Sequence, residues 1–304
     1  MISAVVVLYY PRLESLELLL RSVTGQVSMV FLVDNTPQPS PETEAIANDF
    51  NSNIYYIPML RNIGIYAAQN IGIERSIAAS CSHVLILDQD SVLSPNMVGS
   101  LLAGEAALLD QGQKVAAVGP QFIDIKTSRK SPALLHRYVG IRKLYLDPNS
   151  SIPVETDHLI SSGAIIRTAV LQEIGLMRED LFIDWGDIEW NLRARSMAYK
   201  SYYIPCAVMS HDVGDLIVRI LGRDVHVHTD LRNYYMLRNA IFLFRVRTMG
   251  WRWKINFVPK IPCYLILYPL LSRHRLMNVR LLLRAMRDGI CGNMGKLENV
   301  SEPR

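Results

Sequence analysis

Two carboxylates stand one residue apart at the point where an apolar run ends. The run is Val84–Leu87, and Asp88, Gln89 and Asp90 follow it directly. An uninterrupted run of Val, Leu and Ile is typical of a strand buried in a parallel sheet, and ligands bind beyond the carboxyl ends of such strands. Carboxylates placed there suit Mg²⁺ or Mn²⁺, which share their oxygen ligands with substrate phosphates. The alternative is a pair of solvated turn aspartates.

A second group of acidic residues lies in the segment Leu181–Arg195. Asp184, Asp187 and Glu189 are close together and are interspersed with two tryptophans. Asp184 fits a helix N-cap, and Asp187 would then lie in the first turn, where a carboxylate favours the positive helix end. Alternatively, aromatic neighbours desolvate Asp187 and raise its pKa toward that of a general base. Glu189 is predicted to face solvent or to pair with Arg193.

A third candidate is the segment Arg61-Asn62-Ile63-Gly64, which precedes a helical pattern. Arg61 can pair with a phosphate, Gly64 permits a close backbone approach, and the helix N-terminus offers N–H groups to an anion. Asn62 and Gly64 are equally consistent with ordinary turn chemistry.

Alternating strand and helix patterns must position these side chains. Short apolar runs predict strands, and leucines at helical spacing predict helices. The predicted series is strand Ser3–Tyr9, helix Arg12–Val23, strand Met29–Val33, helix Glu42–Phe50, strand Ile54–Ile57, helix Tyr66–Ala79 and the strand that ends at Asp88. Repeated βα units form a mostly parallel sheet with helices on both faces, so the predicted fold class is α/β.

Polar residues follow three of these predicted strands. They are Tyr9 after the first, Asp34 and Asn35 after the second, and Asp88 with Asp90 after the fourth. Because the carboxyl ends of parallel strands meet at one edge of the sheet, we expect these residues to line one crevice. A nucleotide can lie across them.

The composition excludes several classes of protein. A chain of 304 residues with 50% apolar residues can bury a large core. A net charge of +4 is too small for a dedicated nucleic-acid-binding protein. The four cysteines are far apart, which argues against a zinc site or a disulfide framework and favours a reducing cytosol. The first ten residues carry no signal-peptide features.

The C-terminal region has a composition of its own. Ile255–Leu271 is apolar and aromatic, but three prolines and a lysine interrupt it, so the pattern does not predict a spanning helix. Arginines among leucines and methionines follow. A basic amphipathic tail over 255–304 can lie on an anionic membrane surface. The alternative is an ordinary helical subdomain with a solvated basic face.

Taken in order, the motifs of the chain resemble those of a known family. The motifs are VVVLYY at 5–10, Val33-Asp34-Asn35, RNIGIYAAQNIGI at 61–73, LDQDS at 87–91, Ser161-Ser162-Gly163, FIDWGDIEW at 182–190, Arg193 and YYMLRN at 234–239. Together they resemble the family-2 inverting glycosyltransferases of the GT-A fold over roughly residues 2–245. Within that family they are most similar to the bacterial rhamnosyltransferases that build O-antigen and related surface polysaccharides, including lipopolysaccharide, from dTDP-L-rhamnose.

The resemblance implies an organisation and an activity. A GT-A domain would span 1–245, with a nucleotide-sugar-binding half at 1–120 and an acceptor and catalytic half at 121–245, followed by a basic helical region at 246–304. The enzyme would be cytoplasmic, with a possible peripheral contact on the inner face of the plasma membrane. It would use Mg²⁺ or Mn²⁺ and transfer L-rhamnose from dTDP-L-rhamnose to a hydroxyl of a glycan or lipid-linked acceptor.

The resemblance also implies roles for residues on the donor side. Asp34 would contact the base or the ribose of the nucleotide. Arg61, Asn62 and Gly64 would hold the diphosphate side.

Further implied roles concern the metal ion and the donor sugar. Asp90 would be the direct metal ligand, Asp88 would bind the ribose or lie behind the ligand shell, and His211 would complete the metal or diphosphate site. Ser162 and Gly163 would lie beside the donor sugar.

Asp187 matches the catalytic base of the family. The family usually has an acidic residue immediately before that base, whereas this chain has Gly186. Asp184 can supply part of the missing charge, which leaves the choice between Asp184 and Asp187 open.

Two other functions fit some of the same residues. The segment Asp88–Val92 matches the D-x-D-x-[TV] signature of haloacid-dehalogenase-like phosphatases, in which the first aspartate is a phosphoryl nucleophile beside Mg²⁺. That signature normally ends the first core strand, whereas three predicted strands precede it here. The other alternative is a sugar-nucleotide-binding protein without turnover, which Gly186 makes conceivable.

Overall fold

A computed structural model describes residues 1–50, 53–124, 130–137, 140–211, 216–220, 223–272 and 274–298. The strands in this part of the chain are β1 (Ile2–Leu8), β2 (Met29–Asp34), β3 (Ile54–Pro58), β4 (His83–Asp88), β5 (Ser91–Leu93), β6 (Val115–Asp124), β7 (Ala133–His136), β8 (Ile141–Leu144), β9 (Val154–Thr156), β10 (Ile165–Arg167), β11 (Lys200–His211), β12 (Leu216–Ile220) and β13 (Arg223–Val227).

The α-helices are α1 (Leu13–Val23), α2 (Pro41–Phe50), α3 (Ile65–Ala78), α4 (Met97–Asp110), α5 (Thr168–Ile174), α6 (Gly186–Ser196), α7 (Asp230–Leu243), α8 (Trp251–Phe257), α9 (Ile261–Leu271) and α10 (Arg275–Cys291). Short 3-10 helices cover Glu179–Leu181 and Val258–Lys260.

A single large sheet forms the centre of the molecule. Its strand order is β3-β2-β1-β4-β10-β6-β11-β5, with β9 beside β11. Strands β3, β2, β1 and β4 are mutually parallel, β10 is antiparallel to both of its neighbours, and β6 pairs in parallel with β11. The predicted α/β class with a mostly parallel sheet is confirmed.

The central strands are apolar because helices cover both faces of the sheet. Residues 3–8 of β1 and residues 84–87 of β4 are buried, and Val7 lies opposite Asp88 in the register of these two strands. Helix α1 packs one face inward through Leu16, Leu19 and Leu20. Burying each leucine of this kind stabilises the fold by about 1.5–3 kcal/mol.

The C-terminal helices form a second apolar cluster with the segment before α6. Phe182, Tyr234, Tyr235, Leu237 and Leu282 are among its buried members. The hydroxyl of Tyr234 donates a 2.8 Å hydrogen bond to Asp288, which ties α7 to α10. None of the described helices is both long enough and apolar enough to cross a lipid bilayer.

Candidate functional site

A cavity of about 880 Å³ opens at the carboxyl ends of the parallel strands. Tyr9 after β1, Asn35 after β2, and Asp88 and Asp90 at the end of β4 all line it. Asp187, which comes from the second half of the chain, also lines it. The structure therefore brings the predicted strand-end residues together around one space, with the exception of Asp34, and the predicted base lines the same space.

The middle residue of the Asp88-Gln89-Asp90 motif holds the motif in place. Gln89 accepts a 2.8 Å hydrogen bond from the backbone N–H of Tyr9 and donates one of 3.2 Å to the Tyr9 carbonyl. The side chain of Gln89 thereby joins the carboxyl end of β4 to that of β1. Gln89 thus fixes the positions of the two carboxylates that flank it.

Ser162 supports the same motif from the other side. Its hydroxyl accepts a 3.1 Å hydrogen bond from the backbone N–H of Asp88 and lies 2.8 Å from the hydroxyl of Ser91. Gly163 has a φ of +77°, and a Cβ atom there would lie 2.7 Å from Pro120. Ser162 lines the cavity. Gly163 does not line it, and the absence of a side chain there lets the backbone lie close to Pro120.

The two aspartates have the chemistry required for a divalent ion that is shared with a diphosphate. Both are partly exposed at the cavity wall and offer hard carboxylate oxygens. Among the described side chains, no group of three or more His, Cys, Asp or Glu residues could hold a metal ion. Two carboxylates suit Mg²⁺ in general, since this ion usually keeps several waters and shares its remaining ligands with substrate phosphates.

His211 is the third predicted member of the metal site, and the structure describes its backbone only. Its backbone ends β11 and pairs with Ser91, one residue after Asp90. Its side chain lies outside the described part of the molecule.

The carboxylate of Asp34 lies behind the cavity wall. It is fully buried, accepts a 2.7 Å hydrogen bond from the hydroxyl of Tyr56 and accepts one of 2.9 Å from the N–H of Thr36. Asn35, the next residue, lines the cavity instead. Asp34 therefore orders the end of β2 in this structure.

Hydrogen bonds of side-chain amides hold the loop before α3 and join it to the end of β2. The carbonyl oxygen of the Asn62 side chain accepts hydrogen bonds of 3.0 Å from the Asn35 amide and from the N–H of Gly64. Gly64 has a φ of +92°, and a Cβ atom there would lie 2.7 Å from the ring of Phe182. Asn62 and Gly64 line the cavity, while Arg61 is exposed and lies outside its lining.

Asp187 lies in the first turn of α6 and has a perturbed acidity. Its carboxylate accepts a 2.8 Å hydrogen bond from the N–H of Ile188. Burial raises the pKa of Asp187 to about 6, and the nearby charges of Asp184 and Asp88 act in the same direction. A carboxylate with this pKa is ionised at neutral pH and is basic enough to accept a proton from a reacting hydroxyl.

The prediction that Asp184 is the N-cap of this helix is wrong. Helix α6 begins at Gly186, and both Asp184 and Trp185 have left-handed backbone conformations, with φ values of 61° and 72°. The carboxylate of Asp184 pairs instead with Arg232 of α7 at 3.1 Å. Asp184 is therefore engaged in an ion pair with Arg232, whereas burial raises the pKa of Asp187.

Glu189 and Arg193 form the predicted i,i+4 pair, at 3.0 Å. Glu189 is buried rather than solvent-facing. Arg193 also donates to the carbonyls of Ile174 and Leu176, so the pair anchors α6 to the preceding loop.

Tyr66 explains why glycine precedes Asp187. The backbone N–H of Gly186 donates a 2.7 Å hydrogen bond to the hydroxyl of Tyr66. A Cβ atom on Gly186 would lie 2.3 Å from the Tyr66 ring, which is closer than real contacts allow. The ring of Tyr66 therefore occupies the space that any side chain at residue 186 would need.

The YYMLRN segment of α7 holds the turn that carries Asp184. The side-chain amide of Asn239 donates to the carbonyls of Leu181, Ile183 and Asp184, at 2.8–3.1 Å. Arg238 is also buried and donates a 3.0 Å bond to the carbonyl of Leu181. These bonds satisfy backbone groups that the irregular turn leaves unpaired.

The cavity also contains residues that the sequence patterns did not single out. They are contributed by β7, the loop after β9, α7, α8 and the second 3-10 helix, and include His136, His158, Arg232, Trp253 and Lys260. The sequence signal that could have revealed His136 is the alternation of side chains along β7, which places Leu134 and His136 on the same face of the strand.

Comparison with known proteins shows a family that matches more than half of this chain. The family described as "Glycosyl transferase family 2" matches residues 4–175. A dTDP-rhamnosyl transferase of Shigella flexneri, RfbF, is 32% identical over 247 residues, which cover 80% of each chain. The hexosyltransferase Agl10 of low-salt glycan biosynthesis in Haloferax volcanii is 22% identical over 248 residues, covering 79% of this chain and 76% of the relative.

Solved structures with the same fold have little sequence identity to this chain. GalNAc-T7, solved with UDP, GalNAc and Mn²⁺, has a TM-score of 0.63 at 15% identity and covers 96% of this chain and 57% of its own. Residues 1–349 of Staphylococcus aureus TarS, in complex with UDP-GlcNAc, have a TM-score of 0.51 at 16% identity and cover 96% and 92%. The predicted GT-A fold with helices at the C-terminus is confirmed.

Proposed function

Because the chain belongs to glycosyltransferase family 2, we propose that this glycosyltransferase transfers L-rhamnose from dTDP-L-rhamnose to a hydroxyl of a lipid-linked or polysaccharide acceptor. The donor is inferred from the 32% identity to the Shigella flexneri dTDP-rhamnosyl transferase. The single observation that carries the reaction type is the shared cavity, in which Asp88 and Asp90 face the same space as Asp187. Synthesis of O-antigen or a related lipopolysaccharide glycan is the proposed pathway.

The leaving group of this reaction is a nucleoside diphosphate that departs with negative charge. Asp90 and Asp88 would hold Mg²⁺ or Mn²⁺ against the diphosphate oxygens, with Asp90 as the direct ligand. A divalent ion bound there supplies charge stabilisation to the departing phosphate. Gln89 and Ser162 keep the two carboxylates in position through the bonds described above. Tyr9 and Asn35 would line the nucleotide side of the cavity, with Asn62 and Gly64 beside the diphosphate.

Asp187 acts on the acceptor in this proposal. Its carboxylate accepts the proton of the acceptor hydroxyl while the hydroxyl oxygen forms a bond to the anomeric carbon and the bond to the diphosphate breaks. Attack from the face opposite the leaving group inverts the anomeric centre in one displacement. The reaction therefore needs no covalent sugar intermediate and no activated Ser or Cys nucleophile.

A donor panel tests this proposal. We expect dTDP release from dTDP-L-rhamnose to be at least about tenfold faster than nucleotide release from UDP-glucose or UDP-GlcNAc, because contacts to the base and the sugar distinguish one donor from another. Nucleotide release would be measured with Mg²⁺, with Mn²⁺ and with EDTA. Faster release from a UDP-sugar would overturn the assignment of the donor.

The same assay separates the two alternatives. A protein that binds dTDP-L-rhamnose in calorimetry but releases no dTDP with any acceptor would be the non-catalytic binding protein. The phosphatase alternative loses support, since the family match spans the Asp88–Val92 segment.

We further propose a peripheral membrane contact through α10. Leu276, Leu283 and Ile290 recur every seven residues on its outer face and are 79%, 57% and 59% exposed. Arg280 and Arg287 are exposed between them. Apolar side chains that alternate with cations suit an anionic membrane surface.

Substituting the exposed residues tests this contact without removing the helix, whose inner face packs in the C-terminal cluster. Glutamine at 276, 283 and 290 should weaken co-sedimentation with phosphatidylglycerol vesicles by about tenfold or more, because three exposed apolar side chains that would insert into the bilayer surface are lost. The matched control carries glutamine at three exposed apolar positions elsewhere: Leu18, Tyr145 and Ile152. Equal binding by both variants would remove the membrane proposal.

A further inference from the structure

Two histidines and a tryptophan of the cavity wall have no role in donor binding or proton transfer as described above. His136 ends β7, His158 lies in the loop after β9, and Trp253 lies in α8. All three line the cavity that also contains Asp187. They come from the part of the chain that follows the predicted nucleotide-sugar-binding half.

Packing fixes the orientation of both imidazole rings. The ring of His136 stacks on Trp253, with ring centroids 3.6 Å apart and an interplanar angle of 21°. His158 meets the same tryptophan edge-on at 5.3 Å. The backbone N–H of His136 donates to the carboxylate of Asp157, which pairs with Arg195. The rings are therefore held in place before any ligand binds.

Both rings have unused hydrogen-bonding capacity. His136 is 8% exposed, and the Nδ1 atoms of His136 and His158 are buried without a hydrogen-bond partner among the described residues. A buried polar atom that lacks a partner costs about 1–3 kcal/mol, and such atoms in native proteins call for an explanation such as a bound ligand or water. Both residues also line the cavity, so a ligand that enters it lies against rings whose hydrogen-bonding capacity is not fully used within the protein.

The rings are neutral at physiological pH, which determines what they can bind. Burial lowers the pKa of both histidines, to about 4 for His158, and the positive charge of Lys260 on the same wall acts in that direction. The carboxylate of Asp157 opposes the shift at His136, while Arg195 adds to it. A neutral imidazole has one hydrogen-bond donor and one acceptor. A sugar hydroxyl, which both donates and accepts, matches this pair, whereas a carboxylate can only accept.

We propose that His136 and His158 form an acceptor subsite in which their imidazoles hydrogen-bond hydroxyl groups of an uncharged sugar ring. The inference rests on the proposed glycosyltransferase function and adds the residues that recognise the acceptor. Trp253 keeps the two imidazoles at a fixed separation, with ring centroids 6.2 Å apart. The subsite binds and orients the acceptor, while Asp187 carries out the proton transfer.

Binding of simple glycosides to the full chain tests the subsite directly. The probes are uncharged methyl glycosides of common hexoses and 6-deoxyhexoses, added with dTDP and Mg²⁺. We expect at least one of them to shift the imidazole ¹⁵N resonances of His136 and His158 while leaving those of the exposed His274 unchanged. If no neutral glycoside shifts either ring, or only methyl uronates do, the proposal is wrong.

Substitutions separate a binding role from a structural one. His136→Phe and His158→Phe retain a ring for packing but remove its nitrogens, and each should weaken glycoside binding about tenfold. His158→Gln should recover part of that loss, and His274→Phe is the control.

The hydrolysis of the donor by water gives a second measurement on the same variants. In both Phe variants, the slow release of dTDP from dTDP-L-rhamnose without a glycoside should stay within about twofold of wild type, since water needs no subsite. Unchanged glycoside binding in both Phe variants, or an equal loss of donor hydrolysis, would overturn the subsite. A wild-type chain that releases no dTDP at all would instead overturn the proposed function.

Discussion

Replacing Asp187 by asparagine should reduce sugar transfer by about 10³-fold, because a positioned general base contributes roughly 10²–10⁴-fold to such reactions. The carboxylate is the group on the cavity wall whose pKa burial raises to about 6, whereas the amide that replaces it cannot accept the acceptor proton. The substitution is nearly isosteric, so donor binding should be retained. Transfer rates and donor affinity would be measured on the same preparation.

Asp184→Asn is the matched control for this substitution. Asp184 is paired with Arg232, so we expect a smaller loss of transfer from its substitution than from Asp187→Asn. Near wild-type transfer by Asp187→Asn together with abolished transfer by Asp184→Asn would show that the base is Asp184.

The acidity of Asp187 also fixes the direction of two pH effects. Transfer should fall as pH decreases through about 6, because the base becomes protonated. The pKa of Asp187 is raised on folding, so the ionised carboxylate destabilises the folded state. This cost appears as pH rises from the ordinary aspartate pKa of 3.8 through about 6. Asp187→Asn should therefore unfold no more easily than wild type at pH 7. Thermal unfolding at pH 4 and pH 7 checks the sign.

Replacing Asp90 by alanine should abolish the metal-dependent part of donor binding. Without this metal ligand, the transition state loses several kcal/mol of charge stabilisation by the ion. We therefore expect the rate of sugar transfer to fall by about 10²-fold or more. Calorimetry with dTDP-L-rhamnose, with and without Mn²⁺, measures the binding. The Asp90→Ala variant should bind the donor equally well in the presence and absence of the ion.

Asp110→Ala is the control for charge removal, because Asp110 is an exposed aspartate at the end of α4. It should leave both measurements unchanged. If Asp90→Ala retained the full metal dependence of donor binding, the direct ligand would have to be Asp88 or another residue.

The first half of the fold was predictable because its signals are local. The predicted strands and helices from residue 3 to residue 88 agree with β1–β4 and α1–α3 to within one or two residues. Their apolar periodicity is set by burial against neighbouring layers of the same domain. By contrast, β5 has only three residues, and its partner β11 lies far along the chain. No pattern within Ser91–Leu93 reveals such a pairing.

The site was predictable where it follows strand ends and unpredictable where the chain turns irregularly. Asp88, Asp90 and Asp187 share one cavity, as expected. The N-cap assigned to Asp184 failed because Phe182, Asp184 and Trp185 all have positive φ values, which are uncommon for non-glycine residues and for aromatic residues in particular. Bonds from Asn239, about fifty residues later, support that turn. Hydrogen bonds between residues so far apart in the sequence cannot be predicted from the local sequence pattern.

The contact between Tyr66 and Gly186 constrains how this sequence can change over evolutionary time. A single substitution cannot introduce an acidic side chain at residue 186, since the Tyr66 ring fills the volume that it would need. Shrinking Tyr66 first would remove the acceptor of the Gly186 N–H bond and loosen the start of α6. Each single step is therefore disfavoured, and only the paired replacement is compatible with the fold. The two positions should vary together among related chains, so a large aromatic residue at 66 should accompany glycine at 186.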